Sequence, residues 1–249
     1  MRKICAIHQP NFLPRLSTLA KILSADVWVI LDDVQFCRRD YQHRAKLAPM
    51  ESPEAWRWLT LPVHLPQGQR TEIRRVELAD PCESARRVSC VLARELGGGP
   101  MWPALRPCLA EVVTRLRESK LLREVAELST RKLLEIAGWQ GEIVRSSDFD
   151  VTPERSARLA DLTRAVQADT YLCGTGGRRY LDESAFTRIG VAVEYFDTPS
   201  WLTPEVWTSG KGLSAVCALA RREPHEARTL STGCSRMGTG WVRGWGAGE

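Results

Sequence analysis

The residue best suited to chemistry is a histidine in a short turn near the start of the chain. His8 ends an apolar run and is followed by Gln9 and Asn11 inside a turn bounded by prolines. A histidine in this place can act as a general base or donate a hydrogen bond to a bound anion. Its ring could instead only tie the turn to neighbouring backbone. We predict that His8 is catalytic and that Gln9 and Asn11 bind substrate.

A glycine-rich segment far along the chain carries the second candidate group. Residues 168–177 read ADTYLCGTGG, an apolar run that ends in glycines before a helix predicted to start near Arg178. Backbone N–H groups at a helix start bind anions, although the pattern matches neither a Walker loop nor a GxGxxG fingerprint. A tight turn that needs glycine φ angles is the alternative. The predicted substrate-binding residues here are Tyr171, Cys173, Gly174, Thr175, Gly176 and Tyr180.

Two adjacent aspartates end the next apolar run after the histidine turn. Asp32 and Asp33 follow residues 27–31, and strand alternation would send their side chains to opposite faces. We predict them as catalytic carboxylates that orient His8, accept a proton from an attacking amine, or hold a cation. A buried carboxylate needs a partner. The arginines nearest in sequence are the predicted partners: Arg38, Arg39 and Arg44.

Basic side chains cluster just after the aspartates. Arginine binds phosphate or carboxylate through two parallel hydrogen bonds, and a solvated basic loop is the alternative. The predicted substrate-binding residues of this segment are Gln35, Arg39, His43 and Arg44. His64 ends a later predicted strand and is a second candidate acid or base.

The eight cysteines and four histidines show no metal-ligand pattern. No CxxC, HxxxH or HExxH spacing occurs, so we predict no metal site. Cys37, beside the basic cluster, and Cys173, beside the glycines, are candidates for a reactive thiolate, although neither has a histidine close in sequence. We expect the thiols to be free and mostly buried.

The net charge and the lengths of the apolar runs indicate which ligands and surfaces the protein can bind. The formal charge of +5 over 249 residues suits a phosphorylated or carboxylated substrate, and a nucleic-acid partner is not required. No apolar run approaches the roughly 20 residues of a membrane helix, and no signal-peptide core is present. We therefore predict a cytoplasmic protein without membrane contact.

Hydrophobic patterns predict alternating strands and helices. The predicted strands span residues 3–7, 27–31, 57–63, 71–78, 141–145, 170–173 and 191–196. The predicted helices span residues 17–23, 83–96, 105–136 with a break near Ser119, a segment opening at Thr152, 178–187 and 210–222. Ser17 or Thr18, and Thr152, are the predicted N-caps.

This order of elements predicts an α/β fold: a Rossmann-like, mostly parallel sheet with flanking helices and a helical middle segment. We predict one domain over residues 1–230, with a helical insertion around 81–137, and a mobile tail over 231–249. In such sheets ligands bind where strands end. The histidine turn, the two aspartates and the glycine bend are therefore expected to converge on one pocket.

At these residues the chain resembles the WbqC-like family. The family pattern I-x-Q/H-Q-P-x-Y/F-L-P appears over residues 7–14, and A-D-x-x-V-x-L-D-x-V-Q-F appears over 25–36. A W-L-T-x-P-V strand follows at 58–63, and A-D-x-Y-L-x-G follows at 168–174. The resemblance covers about residues 3–196.

The chain departs from the family pattern at three places. His43-Arg44 stands where the family usually has Asn-Arg, and Cys173 stands where it usually has serine. Residues 201–204 and Ser214-Ala215 replace an aromatic-glutamine element and an aspartate. Substrate choice therefore does not carry over with the fold.

The resemblance implies a biosynthetic enzyme, because family members belong to pathways for surface polysaccharides and secondary metabolites. It implies transfer of an acyl or aminoacyl group from an activated donor to a small-molecule amine, which forms an amide without a cofactor. The donor would be linked to an acyl carrier protein, CoA or a nucleotide. Two alternatives stay open: a nucleotidylyltransferase- or ligase-like enzyme using ATP and Mg²⁺, and a non-catalytic partner-binding protein.

Overall fold

A computed structural model describes residues 2–49, 52–197, 199 and 204–222 of the chain. Its strands are β1 (Ile4–His8), β2 (Val27–Ile30), β3 (Arg44–Leu47), β4 (Arg57–Thr60), β5 (Val63–His64), β6 (Glu77–Leu78), β7 (Glu142–Arg145), β8 (Thr170–Cys173) and β9 (Ala192–Tyr195). Its α-helices are α1 (Leu16–Leu23), α2 (Pro81–Leu96), α3 (Trp102–Glu118), α4 (Leu122–Ile136), α5 (Arg155–Ala165), α6 (Ser184–Thr187), α7 (Pro204–Gly210) and α8 (Ala215–Ala220).

The centre of the fold is a five-stranded parallel sheet in the order β7-β2-β1-β8-β9. The chain builds outward from β1 to β7 on one side and then returns to add β8 and β9 on the other. The Rossmann-like α/β prediction is confirmed. In this topology the order of strands reverses between β1 and β8, and ligands bind beyond the carboxyl ends of the strands at that switch point.

Helices cover both faces of the sheet, which explains the continuous apolar runs of its central strands. Trp28 and Ile30 of β2 pack with α1 to α4 and α8, whereas Val27 and Val29 pack with α5 and α6 on the opposite face. The predicted helical middle segment is α2, α3 and α4, and Ser119 ends α3 as expected. Both faces of β2 are therefore buried in the core.

The start of α1 differs from the prediction. Its N-cap is Arg15 with no side-chain cap, not Ser17 or Thr18. Instead, the amides of Leu16 and Ser17 donate to the carbonyls of Leu213 and Lys211, at 2.8 and 3.2 Å. A distant segment therefore supplies acceptors that a local cap would otherwise provide.

Three other element predictions need correction. Residues 57–63 split into β4 and β5 at Pro62, which cannot donate to a ladder, just after Leu61 donates to His43 in register with β3. Most of 71–78 is irregular, with a 3₁₀ turn at Ile73–Arg75 before β6. Helix α5 is capped by Glu154, not Thr152, since its carboxylate accepts from two amides of the first turn.

The later helical predictions are shorter in the structure. Residues 178–187 contain a 3₁₀ turn and the short α6, and residues 210–222 contain the last residue of α7 and the short α8. The predicted tail at 231–249 lies outside the described residues. Within the described ranges, no helix is long and apolar enough to cross a membrane.

Candidate functional site

The site begins where β1 and β8 part. The pairing of β1 with β8 ends at Cys5 and Tyr171, whereas its pairing with β2 continues to His8 opposite Ile30. The last residues of β1 and β8 therefore diverge at the switch point of the sheet. A crevice between these strand ends is the expected ligand position in this topology.

His8 lies at the carboxyl end of β1, half-buried, with Nε2 at 3.1 Å from the hydroxyl of Thr18 on α1. Burial lowers the pKa of His8 well below its usual value, and the positive charges of Lys21 and Arg15 lower it further. The imidazole is therefore neutral at pH 7. A neutral ring in this position can accept a proton.

Lys21 of α1 reaches the same strand end. Its side chain is buried, with 6% exposed, and its ammonium donates to the carbonyl of Ile7 at 2.9 Å. Burial lowers the pKa of Lys21 to about 8, with Cys173 and Cys5 opposing and Arg15 adding to that shift. Sequence reasoning missed Lys21, because a lysine between the apolar positions of a short helix is typical of a solvated face.

The turn after β1 holds buried polar atoms that have no partner among the described residues. Asn11 is 2% exposed and neither atom of its amide is hydrogen-bonded; the same holds for Oε1 of Gln42, Nδ1 of His43 and Nε of Arg15. Leaving such an atom unpaired costs about 1–3 kcal/mol. Orphans of this kind mark places where a ligand or solvent supplies the missing bond.

These orphaned atoms belong to two segments that are tied together. The amide of Phe12 donates to the carbonyls of Tyr41 and Gln42, both at 3.2 Å, and Gln42 Nε2 donates to Gln9 Oε1 at 2.7 Å. Arg15 stacks on the Tyr41 ring at 4.2 Å. Burial, aided by Arg44 and Arg38, lowers the pKa of His43 to about 4, so this ring is also neutral.

Asp32 and Asp33, at the end of β2, form ion pairs with arginines on two helices. Asp32 is fully buried and pairs with Arg123 of α4 at 2.7 Å, and Asp33 pairs with Arg158 of α5. The prediction of Arg38, Arg39 or Arg44 as partner is wrong. The loop carrying these arginines folds on itself, with Arg44 donating to the Asp40 and Arg39 carbonyls and stacking on Trp58.

The two carboxylates point to helices on opposite faces of the sheet, as strand alternation predicts: Asp32 to Arg123 of α4, and Asp33 to Arg158 of α5. The Ser146 hydroxyl lies within hydrogen-bond distance of Oδ1 of both carboxylates and can donate its one proton to either. Asp32 further accepts from the amide and hydroxyl of Ser147, at 3.2 and 3.1 Å. The hydrogen bond made by the His8 ring goes to Thr18 instead. We therefore assign both carboxylates to positioning β2 against α4 and α5.

The glycine bend lies on the β8 side of the crevice. A Cβ on Gly174 would stand 3.8 Å from Cδ and 3.9 Å from Nζ of Lys21, so this glycine borders the lysine. A Cβ on Gly177 would stand 2.3 Å from Sγ of Cys173, so a larger residue there would require the Cys173 side chain to shift. Thr175 and Gly176 are exposed. Close packing therefore favours glycine at 177, whereas a Cβ on Gly174 would make ordinary contacts.

The other side chains around the bend divide between core and surface. Tyr171 is buried and stacks on Phe186 with ring centroids 5.1 Å apart, so it lies away from the crevice. Cys173 is 1% exposed, and burial raises the pKa of its thiol. A protonated thiol is a poor nucleophile. Tyr180 is 63% exposed, with Arg155 over its ring.

Three predicted residues lie on the surface away from β1. Gln35 donates to the carbonyl of Gln69, the side chain of Arg39 is exposed, and His64 is exposed in the two-stranded sheet of β5 and β6. The structure brings His8, Gln9, Asn11, His43 and Gly174 toward the β1 and β8 ends. Within the described ranges, no three His, Cys, Asp or Glu side chains group as metal ligands.

A family model for the WbqC-like protein family matches residues 9–212, from the turn after His8 to the segment that caps α1. The chain belongs to this family. Among curated proteins, this WbqC-like chain is similar to the uncharacterized protein Rv1507c of Mycobacterium tuberculosis (strain ATCC 25618 / H37Rv). The two are 26% identical over 200 residues, which is 79% of this chain and 83% of the relative. No solved structure matches this chain.

The seven cysteines that the structure describes are all free. Cys37 is exposed at the basic loop, and Cys5 and Cys217 are buried in the core of this WbqC-like fold. Burial raises the pKa of Cys5 to about 12. The described thiols near the crevice are therefore protonated at pH 7.

Proposed function

We propose that this WbqC-like protein transfers an acyl or aminoacyl group from an activated donor to an amine, with His8 as the general base. One observation carries the proposal: a neutral imidazole lies at the carboxyl end of β1, where β1 and β8 part, next to the charges of Lys21 and Arg15. A base needs the neutral ring, and the developing negative charge of an acyl transfer needs nearby cations.

The reaction balances with these groups. The amine nitrogen attacks the carbonyl carbon of the donor, and His8 removes a proton from that nitrogen as the C–N bond forms. The carbonyl oxygen becomes an oxyanion that Arg15 and Lys21 favour. When the bond to the leaving group breaks, the positive charge around His8 drives its proton on to the departing thiolate or phosphate.

The orphaned polar atoms supply recognition of the acceptor. Asn11 offers both a donor and an acceptor, Gln42 offers an acceptor, and His43 offers a ring nitrogen. A substrate with amide or hydroxyl groups would pair with them. Sites that hydrogen-bond a substrate reject analogues lacking the group strongly, because buried partners are then unpaired.

The test pairs a donor screen with a variant. The full chain is incubated with CoA thioesters, carrier-protein thioesters and acyl phosphates in combination with amino sugars and amino acids, and amides are detected by mass spectrometry. With the best pair, His8→Gln is expected to lose about 100-fold or more in kcat/KM, the usual contribution of a general base. Arg86→Gln, on the exposed face of α2, serves as the matched surface control.

The pH profile adds a second readout. Because the pKa of His8 is lowered, the acid side of the kcat/KM profile should stay level down to pH 6.5 and fall below it, where the ring gains a proton. Retained turnover in His8→Gln, with unchanged circular dichroism, would contradict this role. So would an inflection near pH 6.5 in the native enzyme that His8→Gln keeps.

The topology favours one other candidate, a nucleotide-dependent transferase or ligase using ATP and Mg²⁺. Doubly wound sheets with this reversal of strand order commonly hold nucleotides at the switch point. A thermal-shift scan with ATP or CTP and Mg²⁺, followed by an assay for released pyrophosphate, separates the two. Stabilisation and turnover by nucleotide alone would favour this second function, and partner binding without turnover would favour a non-catalytic role.

A further inference from the structure

The buried ammonium of Lys21 indicates which class of ligand the protein binds. We infer that its ammonium, buried where the ends of β1 and β8 part, is the centre of a binding site for an oxyanion, a phosphate or carboxylate group carried by a substrate. This goes beyond the proposed function, because an anion would bind here whichever reaction follows.

The position of the ammonium is fixed by the parting of the strands. The carbonyls of Ile4 and His8 accept from amides on the β2 side, so the carbonyl of Ile7 faces β8 by alternation. No strand amide pairs with β1 there, since the β1–β8 pairing ends at Cys5. Lys21 occupies this gap through its 2.9 Å bond to Ile7.

Negative charge is missing around this cation. Among the described residues, no carboxylate lies within salt-bridge distance of Lys21. Its charged and titratable neighbours are Arg15 before α1, His8 and Cys5 on β1, and Cys173 on β8. Arginine is positive, and the others are neutral at pH 7. A buried ammonium without a counter-charge is costly, and a bound oxyanion would supply that charge.

Two further features fit an anion. Gly174 leaves open the position beside Lys21 that a side chain would occupy, because its Cβ would stand 3.9 Å from Nζ. On the other side, the Thr18 hydroxyl and the His8 ring form a polar pair at 3.1 Å. The Lys21 ammonium therefore has two hydrogen-bonding side chains nearby, Thr18 and His8, and a residue without a side chain, Gly174.

The experiment measures sulfate binding to the full chain by calorimetry at fixed ionic strength. Sulfate is the probe because its charge is constant between pH 7 and pH 9. Lys21→Met should weaken binding at least tenfold, whereas Lys120→Met, at an exposed position, should match the native chain. Sulfate binding is measured without donor or amine, so its outcome does not depend on whether the chain transfers an acyl group.

The native chain supplies a test that needs no variant. Between pH 7 and pH 9 the protonated fraction of Lys21 falls about tenfold, so sulfate affinity should fall about tenfold as the pH rises. Cys173→Ser should show the same fall. Competition by phosphate, pyrophosphate and acetate then tells which oxyanion the site prefers.

Three results would overturn the inference. They are no saturable sulfate binding by the native chain, undiminished binding by Lys21→Met, and an affinity that does not change with pH. Circular dichroism of Lys21→Met checks that its fold is kept. The pH series on the native chain tests the role of Lys21 even if that variant does not fold.

Discussion

Asp32 is a residue whose sequence position suggested catalysis and whose contacts indicate structure. It is fully buried, and Arg123, Ser146 and Ser147 supply its hydrogen bonds. An ion pair buried in this way fixes geometry more than it adds stability. Here it joins the end of β2 to α4 and to the segment after β7.

Removing one partner of this pair should be strongly destabilising. Asp32→Asn leaves the Arg123 guanidinium without its counter-charge, so the free energy of unfolding should fall by about 3–5 kcal/mol in urea titration. Arg123→Met in the same chain should restore part of that loss, because both charges are then gone. A single variant as stable as the native chain would show that Asp32 has no such structural role.

At the same scale, the difference between predicted and missed site residues has a physical cause. His8, Gln9 and Asn11 were predictable because polar residues that end an apolar run have few other reasons to be there. Lys21 and Arg15 gave no such signal, since an isolated cation beside a helix is ordinary on a surface. Their roles depend on which strand ends they face, and only tertiary structure sets that.

Among the elements, α1 shows how a distant segment completes the site. Residues 211–215 cap its first turn and also hold the turn before it, because Ser214 donates through its hydroxyl to Leu13 at 2.9 Å and Ala215 donates to Pro14 at 2.7 Å. The backbone of Ser214 also donates to Lys46 of β3. The histidine turn, α1 and β3 are therefore joined by one segment, residues 211–215.

Ser214→Ala should remove the hydroxyl contacts of this segment without leaving a large cavity in the core. Ser214 is 1% exposed, and its hydroxyl bonds Leu13 and caps α8. Losing a buried hydrogen bond and an N-cap should lower the free energy of unfolding by about 1–2 kcal/mol. Urea denaturation measures it, and Ser89→Ala, on the exposed face of α2, should change stability by less than about 0.5 kcal/mol. Equal effects of the two variants would refute this role of the Ser214 hydroxyl.

Element predictions succeeded where local pattern decides and failed where contacts across the chain decide. Runs buried on both faces predicted β1, β2 and β8 within a residue, and the polar break at Ser119 separated α3 from α4. The N-caps of α1 and α5 failed, since a backbone segment and Glu154 replaced the expected serine or threonine side chains. Residues 71–78 failed because loose alternation does not distinguish an edge strand from a 3₁₀ turn.

For the whole molecule, the reversal of strand order is what brings separated sequence together. His8 and Gly174 are far apart in the chain, and they flank one crevice because β8 pairs with β1 after the chain has built β7. Fold class followed from the order of elements, whereas the convergence of the aspartates on His8 did not. Their carboxylates turn to Arg123 and Arg158 on helices that sequence could not place.

Because the crevice is assembled from such separated pieces, a bound anion should protect all of them together. Hydrogen exchange with saturating sulfate is expected to slow in peptides covering residues 9–22, 172–180 and 211–216. Ligand binding to the native state suppresses the openings that expose these amides, and the Leu16 and Ser17 amides bond the 211–213 segment directly. Peptides from α2 and α3 lie outside the crevice and should exchange at unchanged rates. Protection confined to 172–180 would mean that the anion contacts the glycine bend alone, and protection spread equally over α2 and α3 would mean that sulfate acts on the fold without a site.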